Sequence, residues 1–405
     1  MGTLVSMSST RPTRAAQRVA SEAAILDAAV ELFAKHGPDG VPLREVAHSA
    51  GLTHALVARY FGSKQGLVSA VEGRLAAEIR AVMDPIEFTS AEAFIELLTS
   101  ARERPTWMRL LVRSGLGDLD GSIVPIAIVD RCVTASDGDR HARLCGYAAA
   151  SLILGWWSWE GFFVTALKLG RVSSRRQDEA VAAAAMCVLQ LATQRQPGLE
   201  PRRLTAADAA PEVPQVNSTR DALLAAAVEL FAERGPASVS IRDIARHAGV
   251  NHGLVHRHFG SKDDLLAEAI EVGSFSLVPG ALAPEGFDID VVVYSMHHGS
   301  PSPRTIARVL VDDVDVGRVR PRYPVLNGLL SLVRQLPAED RPPALADPRL
   351  AAAAAASLVV GSVIWGRGLR EVFGLVDDDG VESAMADLGR WLLGAPGAPR
   401  SAPTN

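Results

Sequence analysis

The chain has 405 residues, 48% hydrophobic and 21% charged, long enough for roughly two to four domains and too apolar for a disordered polymer. A formal net charge of −5 excludes a wholesale polycationic nucleic-acid coat but leaves room for a local basic face. Three widely spaced cysteines, Cys132, Cys145 and Cys187, provide neither a disulfide framework nor CxxC metal spacing, which fits a reducing cytoplasm. The opening residues, MGTLVSMSSTRPTR, lack the apolar run of a secretion signal.

In chain order, residues 1–18 read as a flexible basic arm carrying Arg11, Arg14 and Arg18. Ile25, Leu26, Ala29, Leu32 and Phe33 then recur at helical spacing, and Gly37-Pro38 predicts the stop of that helix. A second helix is predicted over 43–50 with Val46 and Ala47 inward, followed by Gly51 at a turn that needs a positive φ. A third begins at Thr53 or His54 and reaches Tyr60, with Leu56 and Val57 as core residues. Two short helices joined by such a glycine turn make a helix-turn-helix, whose second helix fits the major groove of DNA. Phe61-Gly62 ends it, and Ser63 is a natural N-cap for a fourth helix. Lys64 in the first turn of that helix opposes its dipole, which points to an anion such as phosphate outside the helix.

Residues 147–169 are nearly all apolar, but Glu160 and Lys168 interrupt them and the tryptophans crowd the middle of the run rather than its ends. That favours a buried helix over a membrane span. Trp107, Met108, Trp159 and Phe162 are candidates for an apolar pocket, with core packing the plainer role. Residues 196–216 are Pro-rich without helical period and read as a semi-extended tether.

A repeat follows. ILDAAVELFAKHGPDGVPLREVAHSAGLTHALVARYFGSKQGLV from Ile25 aligns without a gap to LLAAAVELFAERGPASVSIRDIARHAGVNHGLVHRHFGSKDDLL from Leu223, identical at about 24 of 44 positions. A second echo, AAASLILGWWSW from Ala148 and AAASLVVGSVIW from Ala354, comes in the same order, as whole-chain duplication requires. In the second half, DIDVVVY (288–294) is the best strand candidate, but with no partner strand it reads as helix or loop. Residues 351–356 read as a closely packed small-residue helix face, 377–379 as a solvated loop, and 395–405 as a disordered tail. His297-His298 with Asp312-Asp313 match no metal motif, and no nucleophile motif such as GxSxG occurs, so neither an enzyme nor a cofactor is expected.

AAVELFAxxGP, (V/I)AxxAG(L/V) and FGSKxxL together resemble the N-terminal DNA-binding domain of TetR-family bacterial transcriptional repressors, twice, over 19–79 and 217–277. The resemblance implies an all-α fold of two TetR-like halves packed as an intramolecular pseudo-dimer. Each half has a three-helix DNA-binding head and a helical effector or dimerisation body, the bodies covering 80–195 and 278–394. It implies a four-helix bundle built from 147–169, 178–193, 352–372 and 380–393. By the same resemblance Thr53, His54, Ala55 and Ala58, and in the second head Asn251, His252, Gly253 and His256, are candidates for base contact. Arg44, Arg59 and Lys64, with Arg242, Arg257 and Lys262, are candidates for phosphate contact. Tyr60 keeps the family's usual tyrosine, whereas His258 replaces it and still offers a phosphate donor.

The implied partners are a double-stranded DNA operator and an unidentified small-molecule effector, with no membrane, metal or cofactor. The implied activity is that of a ligand-released repressor. Because the two candidate helices differ, an asymmetric operator is expected, bound by a monomeric pseudo-dimer, with a homodimer as the alternative assembly. A sensor or protein-interaction module whose heads no longer bind DNA is the alternative function. It draws on charge: residues 217–277 hold six Lys/Arg against eight Asp/Glu, and 11–80 hold nine against seven.

Overall fold

A computed structural model describes residues 13–86, 90–119, 132, 138–194, 218–275, 287–298, 301–312, 314, 319 and 323–395, and all regular structure among them is helical. Arg11, Asp313, the 196–216 tether and residues 396–405 lie outside the described residues.

The first head comprises α1 (Arg14–Gly40), α2 (Leu43–Ser49), α3 (His54–Phe61) and α4 (Lys64–Met83). Helix α1 starts inside the expected arm. Thr13 Oγ1 accepts the Ala16 N–H, and Arg18 pairs with Glu22 one turn on, so Arg14 and Arg18 are helical rather than flexible. Gly37 interrupts the helix at φ 71°, where the sequence predicts its stop, and one further turn follows. Ser63 caps α4 through the Gly66 N–H at 3.0 Å, and α4 runs to Met83, beyond the 19–79 span, carrying the head into the body.

The second head repeats this with α9 (Thr219–Arg234), α10 (Ile241–His247), α11 (Gly253–Phe259) and α12 (Lys262–Phe275). Ile25, Phe33, Val46, Val57 and Leu67 have 0% exposure, as do Leu223, Phe231, Ile244, Val255 and Leu265, their partners in the aligned repeat. Burial of side chains this size contributes about 1.5–3 kcal/mol each. The duplicated sequence therefore encodes a duplicated core.

The first body is α5 (Ala91–Arg102), α6 (Pro105–Gly115), α7 (Arg140–Ala166) and α8 (Ser174–Gln194). The second is α13 (Ile289–His298), α14 (Ser302–Val311), α15 (Pro324–Gln335), α16 (Pro348–Ile364), α17 (Gly366–Val372) and α18 (Val381–Leu393). Residues 352–372 are thus not one helix: α16 and α17 meet at an 81° bend. Glycines at 366 and 368 weaken the helix there, and Trp365 turns its indole N–H to Ser158 Oγ at 3.3 Å. The DIDVVVY segment is helical. Asp288 Oδ1 accepts the Asp290 N–H at 2.8 Å, and Ile289, Val292 and Val293 bury in α13, where packing overrides their β propensity.

Glu160, the charge inside the apolar run of α7, is paired with Arg102, which also grips the buried Asp178 at 2.6 and 2.7 Å. Among the described residues no single helix is long and apolar enough to cross a membrane; the bent α16–α17 pair passes on length and composition alone.

The two halves meet where α7 crosses α16. A Cβ added to Gly155 would lie 1.9 Å from Ser357 O, and one added to Gly361 would lie 1.8 Å from Ser151 O. The backbones touch, and they touch reciprocally, which is a pseudo-two-fold axis inside one chain. With α8 against α7 and α18 against α16, the four make the bundle that the resemblance implies. Further ties cross between the halves. Arg140 holds Asp378 at 2.6 Å, and Arg349 donates to Lys168 O at 3.1 Å. The 377–379 segment is therefore not simply a solvated loop: the Arg140 guanidinium keeps the Asp378 carboxyl below the usual carboxylate range.

Candidate nucleic-acid interface

Each head presents its third helix on a buried seat. Val57 and Val255 are fully buried and Leu254 packs partly against the core, while Leu56 is half-buried. Gly51 (φ 66°) and Gly249 (φ 68°) make the preceding turns, so the opposite face of each helix stays in solvent. Thr53, His54, Ala55 and Arg59 are exposed on one head, and Asn251, His252, Gly253, His256, Arg257 and His258 on the other; Ala58 is half-buried. Arg44 and Arg242 are exposed on the second helix of each head. Arg44, His54, Arg59, Arg242, His252 and Arg257 make no ion pair or side-chain hydrogen bond among the described residues, so their charge and donors are free for a polyanion.

Other candidates are already engaged. Asn251 Oδ1 accepts the Gly253 N–H at 2.9 Å, making it the effective cap of α11. Thr53 stands at the same place before α3 without using its hydroxyl on the helix. His256 Nδ1 lies 2.9 Å from Gly260 O at the far end of its own helix. Lys64 Nζ donates to Asp39 O at 3.2 Å in the last turn of α1, and Lys262 Nζ donates to Pro236 O just past α9, so both lysines tie the end of their head's first helix to the start of the fourth. Burial lowers the Lys262 ammonium below the usual lysine value. Tyr60 lies half-buried under the Arg18 guanidinium, 5.9 Å from its ring centre, whereas His258 packs edge-on against Phe259. Arg220, the second head's only arm-like arginine, is held by Glu268 and lies over Phe259. The two fourth helices differ at the anion-attracting end: α4 starts without an acid, while α12 carries Asp263 and Asp264 in its first turn.

Below the heads lies a set of residues that sequence reasoning did not single out. Arg113, 3% exposed, donates through Nε to Ala34 O at 3.0 Å, and Arg308 donates through Nε to Ala232 O at 3.0 Å, the same carbonyl in the other head. Each arginine then reaches across the chain's own pseudo-axis. Arg113 meets Asp312 at 3.0 Å, and Arg308 meets both oxygens of Asp118 at 2.7 and 2.9 Å. Asp312 also accepts the Ala237 N–H at 3.1 Å. Each head is thus seated by one arginine of its own body and cross-linked to an aspartate of the other.

An apolar cavity opens in the second body, its space about 680 Å³ with the solvent at its mouth included, walled by α13, α14, α15, α16 and α18 and roofed by Trp159, Phe162 and Phe163 of α7 from the first half. Of the four pocket candidates, Trp159 and Phe162 are in this wall. Trp107 and Met108 instead border a separate space of about 270 Å³ in the first body. The residues of the suspected metal cluster are apart: His297 lies against Val293 O and Ser362 Oγ, His298 against Glu382, and Asp312 in the arginine network.

The model of the bacterial regulatory proteins of the tetR family matches residues 25–71 and 223–269, which are the two helix-turn-helix heads. The HTH-type transcriptional repressor Rv3405c of Mycobacterium tuberculosis is 38% identical over 166 residues, 41% of this chain and 82% of that protein. The HTH-type transcriptional regulator Mb3439c of Mycobacterium bovis gives the same figures. The HTH-type transcriptional regulatory protein RaaS of Mycobacterium tuberculosis is 48% identical over 60 residues, 15% of this chain and 28% of that protein. A relative matched over most of its length by 41% of this chain accounts for one half and leaves room for the other. The chain is a DNA-binding transcriptional regulator that belongs to the tetR family of bacterial regulatory proteins, with the family's DNA-binding domain present twice.

Proposed function

We propose that this regulator is a ligand-released repressor in which one chain, acting as a monomeric pseudo-dimer, sets two unlike heads on an asymmetric operator. One observation carries the reading: α14 and the residue after it take part in the cavity, in the seat of the second head and in the cross-links between the halves. Its Ile306 walls the cavity, its Arg308 seats the second head and grips Asp118 of the first half, and Asp312 at its end accepts from Arg113. A molecule that fills the cavity and displaces α14 disturbs the seats of both heads together. Release then needs only a preference for the displaced form, about 5.5 kcal/mol to take occupancy from 99:1 to 1:99.

In this reading Thr53, His54, Ala55 and Ala58 face bases in one half-site and Asn251, His252, Gly253 and His256 in the other. Arg44, Arg59, Tyr60, Lys64, Arg242, Arg257, His258 and Lys262 face the backbone. The protein acts in the cytoplasm beside the chromosome, and no catalytic step is assigned to it. Asp263 and Asp264 favour a second reading for the second head alone, as a module that contributes little to DNA affinity.

The test is fluorescence anisotropy of labelled DNA from upstream of the chain's own gene, titrated with the intact protein over a salt series. Saturable binding at one chain per duplex, weakening steeply with salt, is the expected result. No binding even at low ionic strength would sink the repressor reading.

A further inference from the structure

The effector-release reading leaves the chemistry of the effector open, and the cavity narrows it. Among the described residues, every side chain in its wall is apolar except the indole of Trp159 and the phenol of Tyr323, and none is Arg, Lys, His, Asp or Glu. A carboxylate, phosphate or ammonium placed against these described residues would lose its hydration with no counter-charge among them to replace it.

The two polar groups are distinctive. Trp159 is 3% exposed, and its Nε1–H, like those of Trp156 and Trp157 on the same helix, has no hydrogen-bond partner, although a buried donor is normally satisfied; of the three only Trp159 is in the cavity wall. Tyr323 packs edge-to-face on Phe162 with ring centres 4.8 Å apart, which closes the second body onto the first half's helix. Its backbone is left-handed (φ 48°, ψ 56°), a conformation that a bulky residue adopts only where its surroundings impose it. Burial pushes its hydroxyl up to about 12, so it stays protonated at any physiological pH.

Resting on the reading above, we propose that the cavity takes an uncharged, largely hydrocarbon molecule with one hydrogen-bond acceptor, a ketone or ester oxygen, which receives the Trp159 indole N–H. The first half supplies that donor and the second half most of the apolar wall, so neither half alone makes the site. The place corresponding to Trp159 in the α7–α16 echo is Trp365, which donates to Ser158 and stands at the α16–α17 bend. The pseudo-axis therefore generates no second copy of the Trp159 donor; Trp157, whose indole N–H is also unpartnered, borders the smaller first-body space instead, so one molecule is expected in this cavity.

The experiment is calorimetric titration of the intact chain with three probes of similar length: 2-undecanone, decanoate and decylammonium. The ketone is expected to bind at one site per chain, with both ions at least tenfold weaker. Trp159→Phe, which keeps an aromatic ring but removes the donor, is expected to weaken the ketone about 3- to 10-fold. Leu329→Trp, filling the cavity from the other side, is expected to abolish binding. In 15N-labelled wild-type protein, the Trp159 indole N–H resonance is expected to shift downfield on adding the ketone, a readout independent of how the variants fold. No ketone binding, ions binding as tightly as the ketone, or an unmoved indole resonance would each overturn the proposal. A ketone that binds as described but leaves operator occupancy unchanged would instead overturn the release reading and leave the site chemistry standing.

Discussion

In the proposed reading the Asn251 side chain would be divided between its own helix and the groove: Oδ1 caps Gly253 and Nδ2 would face a base. Paired hydrogen bonds to adenine need both atoms, so full readout would cost the cap. Asn251→Asp separates the roles, because aspartate also caps. Chemical denaturation is expected to show a stability change within about 0.5 kcal/mol, while binding to the second half-site weakens by about 1–3 kcal/mol; unchanged binding would remove Asn251 from base contact. In the proposed reading Lys64 and Lys262 are similarly divided, each donating to a backbone carbonyl at or just past the end of its head's first helix with two N–H bonds to spare. Lys64→Ala is expected to weaken all DNA sequences alike and flatten the log–log salt slope by about one unit. The same change at Lys262 should do less, since Asp263 and Asp264 already oppose phosphate there; equal slopes from the two variants would contradict this. His297 predicts a pH effect. Burial holds it below the usual histidine value, so the folded state resists a proton that the unfolded chain accepts. Its contribution is then neutral well above pH 6.5 and increasingly destabilising as pH falls below it. Melting temperature should drop between pH 7 and pH 5, and His297→Gln should flatten that drop.

Among the helices, α7 and α16 carry the union of the halves and α6 and α14 carry the seats of the heads. Gly155→Ala or Gly361→Ala would drive a methyl into the opposing backbone carbonyl, so either should destabilise by about 1–3 kcal/mol or more. Alanine at Gly73, whose added Cβ meets nothing within 4 Å, is the control and should be nearly neutral. Removing Arg308 leaves the Ala232 carbonyl without its partner and Asp118 with only Arg113, at 3.3 Å, so the loss is expected to approach, without exceeding, the cost of a broken buried pair, about 3–5 kcal/mol. A double-mutant cycle of Arg308→Ala with Asp118→Ala should show strong coupling although the residues lie in different halves; additivity would deny the cross-link. The heads were legible in sequence because turn glycines, caps and the apolar period all agree there. The small-residue crossing was half legible: AAASL marked the faces, but the contact falls on the glycine four residues beyond the serine. The arginine network was not legible. RLLV at 109–112 and RVLV at 308–311 pair Arg109 with Arg308, whereas the structure puts Arg113, one helical turn on, in the equivalent place. Helical residues one turn apart share a face, so only the carbonyl that each arginine reaches settles the register.

On the scale of the whole molecule, duplication has let two copies of one plan diverge while sharing one interface. The heads keep the same core but differ at the helix surface, at the cap of the third helix and at the start of the fourth. The bodies differ more: one presents α7's aromatic residues to the other's cavity, while α16 bends away before it can do the same. A single chain already satisfies the α7–α16 crossing, so in the proposed monomeric assembly tethering would replace the concentration-dependent association of separate subunits with an intramolecular one. Sedimentation velocity should therefore show a species of 42.9 kDa over a wide concentration range; a constant species of twice that mass would mean four heads per assembly. The central claim is that one chain with two unequal heads reads one unequal site, and selection from random DNA with the purified chain tests it most directly. The account predicts two half-sites of different sequence in one footprint, with Asn251→Asp altering preference in only one of them. A symmetric inverted repeat, equally sensitive to mutation in both arms, would contradict it.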